Sequence, residues 1–262
     1  MKPLPSALAV DLPNLTAKRR VVLFLDFDGT LTPIQPRPED ARLAPEVRET
    51  LKRLARVCPI AVVSGRDLPN LRRQVALPGI AYAGSHGFDI AMADGLEWHF
   101  PAAAPFAPTI AAAERALRER TGAIAGVQIE RKRFSLSLHY RNAAVEQHGA
   151  VHAAVAEVVA QSKGLRDVPG KMVHELSPDL PWGKGHAVLW ILARLKLEGD
   201  TALPVYLGDD RTDEDALAVL VNRGIGIAVG DIPQPTTARY GLRDPGEVYG
   251  FLLRLAHALG AA

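Results

Sequence analysis

The sequence predicts an α/β fold with a parallel sheet and, inserted into the chain, a smaller α+β module. Short continuous apolar runs recur along the chain, as is typical of strands that are buried on both faces. Each run ends in polar or glycine-rich residues that lead into helical spacing, which is the strand–loop–helix order of a parallel sheet. In the middle of the chain this order gives way to prolines and an alternating strand.

The core strands are predicted from the apolar runs Val21–Leu25, Ile60–Val63, Ile80–Ala83, Val205–Leu207 and Ile225–Val229. Val47, Leu51 and Leu54 are spaced as on one face of a helix over 45–57. In parallel α/β sheets, ligands bind beyond the carboxyl ends of the strands. The polar residues that follow these runs are therefore predicted to converge on one edge of the sheet.

The middle of the chain is predicted to form the inserted module. Pro101, Pro105 and Pro108 mark a linker. Beyond it we expect helices over 110–120 and 143–162 and strands near 127–131, 134–141, 165–168 and 171–176. The apolar–polar alternation from Phe134 to Arg141 predicts an antiparallel strand with its polar face half exposed. The predicted domains are a core of residues 1–103 and 179–262 and an α+β cap of residues 104–178.

Composition and charge narrow the class of protein. The 262 residues are 48% hydrophobic and 23% charged, and 31 cationic residues nearly balance 29 acidic ones. A net charge of +2 gives no reason to expect nucleic acid or a membrane as partner. No apolar run reaches about 20 residues, so no membrane span is expected.

The single cysteine and the first residues indicate the compartment. Cys58 has no intrachain partner and is expected to be a buried, inert thiol, which fits a reducing cytosol. Residues 1–18 contain early prolines and no sustained apolar run, so they are a poor signal peptide and are expected to form a partly ordered leader. A cytoplasmic monomer is the expectation.

Asp26 and Asp28 follow the first predicted strand in the segment DFDGTLT. Close carboxylates repel each other, and a divalent cation relieves that repulsion. Gly29 permits a tight backbone, and Thr30 adds a hydroxyl and an amide for anion contact. A solvated Asp-Gly turn is the plain alternative, and the motif alone does not decide between the two.

Two further polar residues lie at the starts or ends of predicted elements. Ser64 ends the second strand and can donate a hydrogen bond to a phosphoryl oxygen. Lys184, between two glycines, opens a helix, where a cation opposes the helix macrodipole. The position makes sense if the lysine neutralises an anion there, with an ordinary surface lysine as the alternative.

Acidic residues cluster after the fourth predicted strand, at Asp209, Asp210, Asp213, Glu214 and Asp215. A helix start favours acids in its first turn, which accounts in part for the last three but not for Asp209 and Asp210. Hard oxygen ligands in this number suit Mg²⁺.

These motifs, in the order DFDGTLT, SGR, a glycine-flanked lysine and GDDRTDE, resemble those of the haloacid dehalogenase superfamily of phosphohydrolases. The resemblance covers almost the whole chain and implies a Rossmann-like core. It implies that Asp26 is the nucleophile and that Asp28 is the general acid and base. Ser64 and Lys184 would hold the phosphoryl oxygens.

The same resemblance implies a magnesium site. Its ligands would be Asp26, Asp209 and the backbone carbonyl of Asp28. Asp210 and Asp213 would lie behind it and orient Lys184 or a metal-bound water.

Further segments resemble the trehalose-6-phosphate phosphatase family: GSHG at 84–87, IERK at 129–132, LHYR at 138–141 and GKMVHEL at 170–176. This resemblance implies trehalose 6-phosphate as substrate and trehalose biosynthesis as the pathway, with a separate enzyme supplying the substrate. The residues it implies for substrate binding are Gly65, Arg66 and His86 in the core and Glu130, Lys132 and Glu175 in a cap that closes over the sugar.

The residues themselves support the cap assignment only in part. Glu130 and Lys132 are two apart in a strand and hence on one face, where a solvated edge is the alternative. Arg133 and Phe134 depart from the small residue that many relatives have after the lysine, which puts the cap surface in doubt but not the core chemistry.

Three alternatives stay open on the sequence. One is a phosphatase for another sugar phosphate, such as sucrose 6-phosphate or a mannosyl-phosphoglycerate. Another is a phospho-accepting, receiver-like signalling module, against which the inserted cap and Asp28 argue. The third, a catalytically dead homologue, is disfavoured because no core motif is missing.

Overall fold

The structure is a computed structural model that describes residues 4–231 and 235–261. Its strands are β1 Arg20–Leu25, β2 Ile60–Val63, β3 Ala81–Gly84, β4 Asp89–Ala91, β5 Glu97–His99, β6 Gln128–Arg131, β7 Leu136–His139, β8 Leu165–Gly170, β9 Val173–Pro178, β10 Ala202–Gly208, β11 Ile225–Val229 and β12 Tyr240–Leu242. Its α-helices are α1 Leu12–Thr16, α2 Pro45–Ala55, α3 Leu68–Val75, α4 Ala107–Thr121, α5 His148–Gln161, α6 Lys184–Arg194, α7 Glu214–Leu220 and α8 Pro245–Ala258.

The chain divides into two compact units. One contains the residues up to Trp98 and those from Trp182 onward, and the other is His99–Pro181. These limits lie a few residues outside the predicted insertion of 104–178. We call them the core unit and the cap unit, and the role of the second as a cap stays a prediction.

The core unit contains an eight-stranded sheet in the order β12-β11-β10-β1-β2-β3-β4-β5. The strands from β12 to β3 are parallel, and β4 runs antiparallel to β3. From β1 the chain moves outward through β2 and β3, and the later strands β10 to β12 build the other side. The strand order therefore reverses between β1 and β10, and crevices at such points are where open α/β sheets bind ligands.

Burial explains why the apolar runs become these strands. Val22, Leu23 and Phe24 in β1 are fully buried, and alternate residues of the strand belong to two different apolar clusters, one on each face of the sheet. The prediction of a parallel α/β core is confirmed. The short strands β4, β5 and β12 were not predicted, because runs of three residues carry little periodic signal.

The first residues depart from the expected leader. Ala7, Val10 and Leu12 are buried within one of the core clusters. A short 3-10 helix, Ala7–Ala9, and α1 lie in this stretch of the expected leader, and its apolar side chains are part of the core. Positions 1–3 lie outside the described residues. No described helix is long and apolar enough to span a membrane.

The cap unit contains a four-stranded antiparallel sheet in the order β6-β7-β9-β8. Leu136, Leu138 and Leu176 are fully buried in one apolar cluster with residues of α4 and α5. The predicted alternation is correct, but the half-exposed polar face is wrong at Ser135 and Ser137, which are both buried. Helix α5 begins at His148 instead of 143, because a 3-10 turn, Val145–Gln147, precedes it.

Candidate active site

The carboxyl ends of β1 and β10 place two buried aspartates side by side. Asp26 directly follows β1, its amide donates to the carbonyl of Leu207 at 2.9 Å, and Asp209 directly follows β10. Gly29 has φ +88°, and a Cβ built on it would lie 2.1 Å from Oδ2 of Asp209. A side chain at position 29 would therefore collide with the Asp209 carboxylate, so the glycine of this loop is needed for the close approach.

Lys184 lies between two carboxylates at the start of α6. Its Nζ donates to Oδ1 of Asp26 at 2.8 Å and to Oδ1 of Asp213 at 2.7 Å, with all three side chains buried. Burial lowers the pKa of Lys184, but Asp213 and Asp26 outweigh this and raise it, so the lysine is cationic. Part of the negative charge that Lys184 neutralises at the start of α6 therefore comes from Asp26 and Asp213, and not from a ligand.

Tyr206 is a member of this site that the sequence analysis missed. Its hydroxyl, fully buried within β10, donates to Oδ1 of Asp213 at 2.5 Å. Burial and the neighbouring carboxylates of Asp213 and Asp26 raise the pKa of Tyr206 well above its ordinary value, so it remains a neutral donor. Within an apolar strand, a tyrosine gives no sign of such a partner.

Two aspartates of the acidic segment after β10 have different partners: Asp213 bonds Lys184, and Asp210 caps a short helix. The Asp213 carboxylate accepts from Lys184 and, through Oδ2, from the Asp210 amide at 2.9 Å. The side chain of Asp210 accepts from the Arg211 amide at 2.5 Å and caps a 3-10 helix, Arg211–Asp213. Capping of a helix start therefore accounts for Asp210, contrary to the sequence argument. Asp210 contacts Asp213 through its backbone amide and not through its side chain.

Three carboxylates of the core unit lie close enough to share a metal ion. One ligand atom from each of Asp26, Asp209 and Asp213 lies within 4.8 Å of the others, and all three residues are buried. Burial raises the pKa of Asp26 well above its ordinary value; Lys184 opposes this, and Asp213 and Asp209 add to it. Ionising three neighbouring acids beside a single ammonium is therefore unfavourable, and a divalent cation with oxygen ligands would relieve the repulsion between them.

The predicted metal ligands agree with this cluster for Asp26 and Asp209. Asp213, predicted as an orienting residue, is its third carboxylate. The carboxylate of Asp28 is engaged elsewhere, and a ligand role for its backbone carbonyl stays a prediction. Thr30, expected to contact an anion, donates its hydroxyl to Oδ1 of Asp209 at 3.2 Å.

Asp28 and Arg66 form a two-pronged ion pair. Arg66 Nε and Nη2 donate to Oδ2 and Oδ1 of Asp28, both at 2.6 Å. A third bond runs from Arg66 Nη1 to Oδ1 of Asn70 at 2.9 Å. The structure thus brings the predicted acid–base residue and a predicted substrate-binding residue into direct contact.

The loops after β2 and β3 bring Ser64, Gly65 and His86 together. Ser64 is buried, and its Oγ accepts from the Arg66 amide at 3.3 Å, while its carbonyl accepts from the His86 amide at 3.0 Å. A Cβ on Gly65 would lie 2.8 Å from the imidazole of His86. Ser85 and His86 both have left-handed backbone, with φ of 48° and 56°, which non-glycine residues rarely adopt and which is often found at functional sites.

The cap unit collects the remaining predicted residues on one face of its sheet. Glu130 pairs across from Ser137, and Ser137 pairs across from Glu175, so the three side chains share a face. Lys132 Nζ donates to Oε2 of Glu175 at 2.5 Å, and the Ser137 hydroxyl donates to the same oxygen at 3.1 Å. Lys132 and Glu175 are buried, so the alternative of a solvated strand edge is wrong for these two residues.

Glu130 has a partner of its own on that face. Its Oε2 lies 3.0 Å from Nε2 of His139, a residue without a role in the sequence analysis. Burial raises the pKa of Glu130, but the His139 bond and the charge of Lys132 outweigh it and lower the pKa, so Glu130 is a carboxylate. The β7 alternation, which puts His139 on the same face as Ser137, was the signal that could have identified it.

The core unit is thus a mostly parallel α/β domain with buried carboxylates around Lys184, beyond the carboxyl ends of β1 and β10. The fold of the chain is that of the C-terminal domain of a Candida albicans trehalose-6-phosphate phosphatase, with a TM-score of 0.84 at 23% identity over 98% of both chains. An Aspergillus fumigatus trehalose-6-phosphate phosphatase superposes with a TM-score of 0.64 at 26% identity, covering 97% of this chain and 99% of that one.

Sequence comparison defines the family. The Trehalose-phosphatase family matches residues 24–246. A trehalose-phosphate phosphatase of Mycobacterium tuberculosis is 45% identical over 100% of this chain and 68% of its own length. A maize relative, trehalose 6-phosphate phosphatase RA3, is 40% identical over 98% of this chain and 76% of its own length. The chain belongs to the trehalose-phosphatase family and is a phosphoric monoester hydrolase.

We expect the Tyr206–Asp213 bond to stabilise the core unit. Tyr206→Phe leaves a buried carboxylate without one donor, and the free energy of unfolding should fall by about 1–3 kcal/mol. Guanidinium denaturation measures this. Tyr240→Phe, on the half-buried β12 strand, is the matched control and should change stability by less than about 0.5 kcal/mol. Equal stability of both variants and the wild type would contradict the assigned bond.

Proposed function

We propose that the chain is a magnesium-dependent phosphatase that hydrolyses trehalose 6-phosphate to trehalose and phosphate through an aspartyl-phosphate on Asp26. The observation that supports it most is the buried cluster of Asp26, Lys184, Asp209 and Asp213 at the reversal of strand order. The names of its relatives support the choice of sugar.

Asp26 is the proposed nucleophile because it directly follows the central strand, where the backbone fixes it. One of its oxygens accepts from Lys184 at 2.8 Å, which fixes the direction of the side chain. The charge of Lys184 also favours the ionised, nucleophilic form of Asp26 against the burial that raises its pKa. Attack on phosphorus forms the new O–P bond as the ester O–P bond breaks. Lys184 and the hydroxyl of Ser64 would hold the phosphoryl oxygens as charge develops on them.

Asp28 is the proposed general acid and base. Its proton passes to the ester oxygen, so that the sugar leaves as a neutral alcohol. The resulting carboxylate then takes a proton from the water that attacks the phosphorus of the aspartyl-phosphate, which restores Asp26. Gly65, Arg66 and His86, in the neighbouring loops, stay the predicted substrate-binding residues of the core.

Asp26, Asp209 and the backbone carbonyl of Asp28 are the proposed magnesium ligands, with Asp213 next to them and Asp210 behind it. When bound, Mg²⁺ would shield the charge between the nucleophile and the phosphoryl group. The negative excess of the three carboxylates supports a cation at this position.

The cap unit is proposed to recognise the sugar. Glu130 and Glu175 are carboxylates whose partners, His139 and Lys132, fix their direction before any ligand binds. Carboxylates so oriented are suited to sugar hydroxyls, and a site of this kind discriminates against analogues that leave its polar groups unpaired. A cytoplasmic setting agrees with the buried, free thiol of Cys58, whose pKa burial raises to about 12.

Phosphate release from a panel of sugar phosphates tests the function. We expect trehalose 6-phosphate to be cleaved at least about ten-fold more efficiently, in kcat/KM, than glucose 6-phosphate or sucrose 6-phosphate. Removal of divalent cations with EDTA should abolish turnover, and added Mg²⁺ should restore it. Preference for sucrose 6-phosphate would favour the alternative sugar, and single turnover with acetyl phosphate alone would favour the receiver-like module.

Asp26→Asn should abolish turnover, because the amide is too poor a nucleophile to attack phosphorus. We expect a loss of at least about 10³-fold in kcat, with circular dichroism and melting temperature close to those of the wild type. Asp40→Asn, an exposed acid of the core unit, serves as the control. Near-normal activity of Asp26→Asn would refute the assignment of the nucleophile.

Removing the carboxylate of Glu130 should weaken recognition of the sugar. Glu130→Ala should cost about 1–3 kcal/mol in transition-state binding of trehalose 6-phosphate, measured as kcat/KM. A small aryl phosphate that lacks the sugar should be cleaved as before. Glu146→Ala, an exposed acid of the same unit, is the control. An equal loss with both substrates would point to a structural defect instead of a sugar contact.

A further inference from the structure

We propose that Asn70 is a positioning residue that, acting through Arg66, holds Asp28 in the direction needed to protonate the leaving group. The inference rests on the proposed function, in which Asp28 is the general acid. Nothing in the sequence motifs points to Asn70, which lies in the first turn of α3.

The first link is the hold of Arg66 on Asp28. Its Nε and Nη2 bond the two carboxylate oxygens of Asp28 at 2.6 Å each. A fork of two parallel bonds fixes the plane of a carboxyl group as well as its distance, which a single contact does not do. Asp28 is about one third exposed, so packing alone does not hold its side chain.

The second link is the hold of Asn70 on Arg66. Oδ1 of Asn70 accepts from Nη1 at 2.9 Å, and Nη1 is the guanidinium nitrogen that does not bond Asp28. The guanidinium also lies over the ring of Phe27, with Cζ 5.3 Å from the ring centroid. Because the fork is planar and rigid, a bond at Nη1 and a ring against its face together set the orientation of the two N–H groups that reach Asp28.

The third link anchors Asn70 itself. The backbone N–H of Asn70 donates to Oδ1 of Asp67, the N-cap of α3, at 2.9 Å. The carbonyl of Arg66 accepts from the Ser85 amide at 2.7 Å, which fixes the backbone of Arg66 to the loop after β3. Asp28 is thus tied through Arg66 and Asn70 to a capped helix, a rigid reference.

The consequence for the reaction is specific. Both Asp28 oxygens accept from Arg66, so the proton that Asp28 delivers is first taken up from solvent, on an oxygen lone pair that the fork does not use. While the Asp26 oxygen bonds to phosphorus and the ester O–P bond breaks, this proton goes to the ester oxygen, and the carboxylate that remains is paired with Arg66. A carboxyl group that is free to rotate would meet the ester oxygen less often in the correct geometry. Two of the five guanidinium N–H groups are not used by these bonds, so the predicted contact of Arg66 with substrate is compatible with this role.

The test exploits the leaving group. A sugar alkoxide needs the proton, whereas p-nitrophenolate leaves without it. We compare kcat/KM because it contains the step in which the leaving group departs and not the later hydrolysis of the aspartyl-phosphate.

Asn70→Leu keeps the volume but removes the acceptor, and Asn70→Asp retains an acceptor for Arg66. Gln74→Ala, which removes a bond to the Glu39 carbonyl one turn further along α3, is the matched control.

With trehalose 6-phosphate, Asn70→Leu should lower kcat/KM about ten-fold, part of the roughly 10²–10⁴-fold that general acid–base catalysis supplies. With p-nitrophenyl phosphate the loss should be less than about two-fold, and Asn70→Asp should restore trehalose 6-phosphate cleavage to within about three-fold of wild type. Gln74→Ala should behave as wild type. Equal losses with both esters, or an unchanged Asn70→Leu enzyme, would overturn the proposal.

A second measurement needs only the sugar ester. In an Asp28→Asn background the acid is already gone, so Asn70→Leu should cost less than about a further two-fold in kcat/KM. A further ten-fold loss would show that Asn70 acts elsewhere. If the wild type cleaves p-nitrophenyl phosphate but not trehalose 6-phosphate, the proposed substrate fails, and the same comparison with glucose 6-phosphate still tests Asn70.

Discussion

The buried ammonium of Lys184 is the interaction on which the rest of the core site depends. It neutralises Asp26 and Asp213, which burial would otherwise make costly to keep ionised. One cation does not balance three carboxylates, so the site keeps an excess of negative charge. A divalent cation held by these carboxylates, as proposed above, would relieve that imbalance and thereby stabilise the folded site.

The fold explains why these groups meet although they are far apart in sequence. The strands β1 and β10 are parallel neighbours with Leu25 opposite Leu207, so Asp26 and Asp209 leave the sheet at the same edge. The strand order reverses at this point, where open α/β sheets have a crevice. Helix α6 begins at Lys184, which brings the lysine to that edge as well. Gly29 then permits contact between loops that a single added carbon would prevent.

The sequence was sufficient for the parts of the structure that depend on local pattern. The buried strands, the inserted antiparallel sheet and the residues at strand ends follow from apolar runs and from the topology of parallel sheets. Tyr206, Asn70 and His139 were missed, because their importance lies in partners from other elements. Ser137 was predicted as half exposed, since alternation tells which residues share a face and not what covers that face.

The two units use the same physical device on acidic side chains. Arg66 holds Asp28 in the core unit, and in the cap unit Lys132 holds Glu175 and His139 holds Glu130. Two of these contacts, Arg66–Asp28 and Lys132–Glu175, are ion pairs. Buried or half-buried ion pairs are a poor source of stability, because the cost of desolvating both charges offsets their attraction, and apolar side chains of similar volume would serve a fold as well. What such pairs do provide is a carboxylate whose direction is set before a ligand binds. These contacts lie at the strand ends of the core sheet and on one face of the cap sheet, where the proposed function needs oriented carboxylates, so the proposed ligand chemistry accounts for them better than stability does.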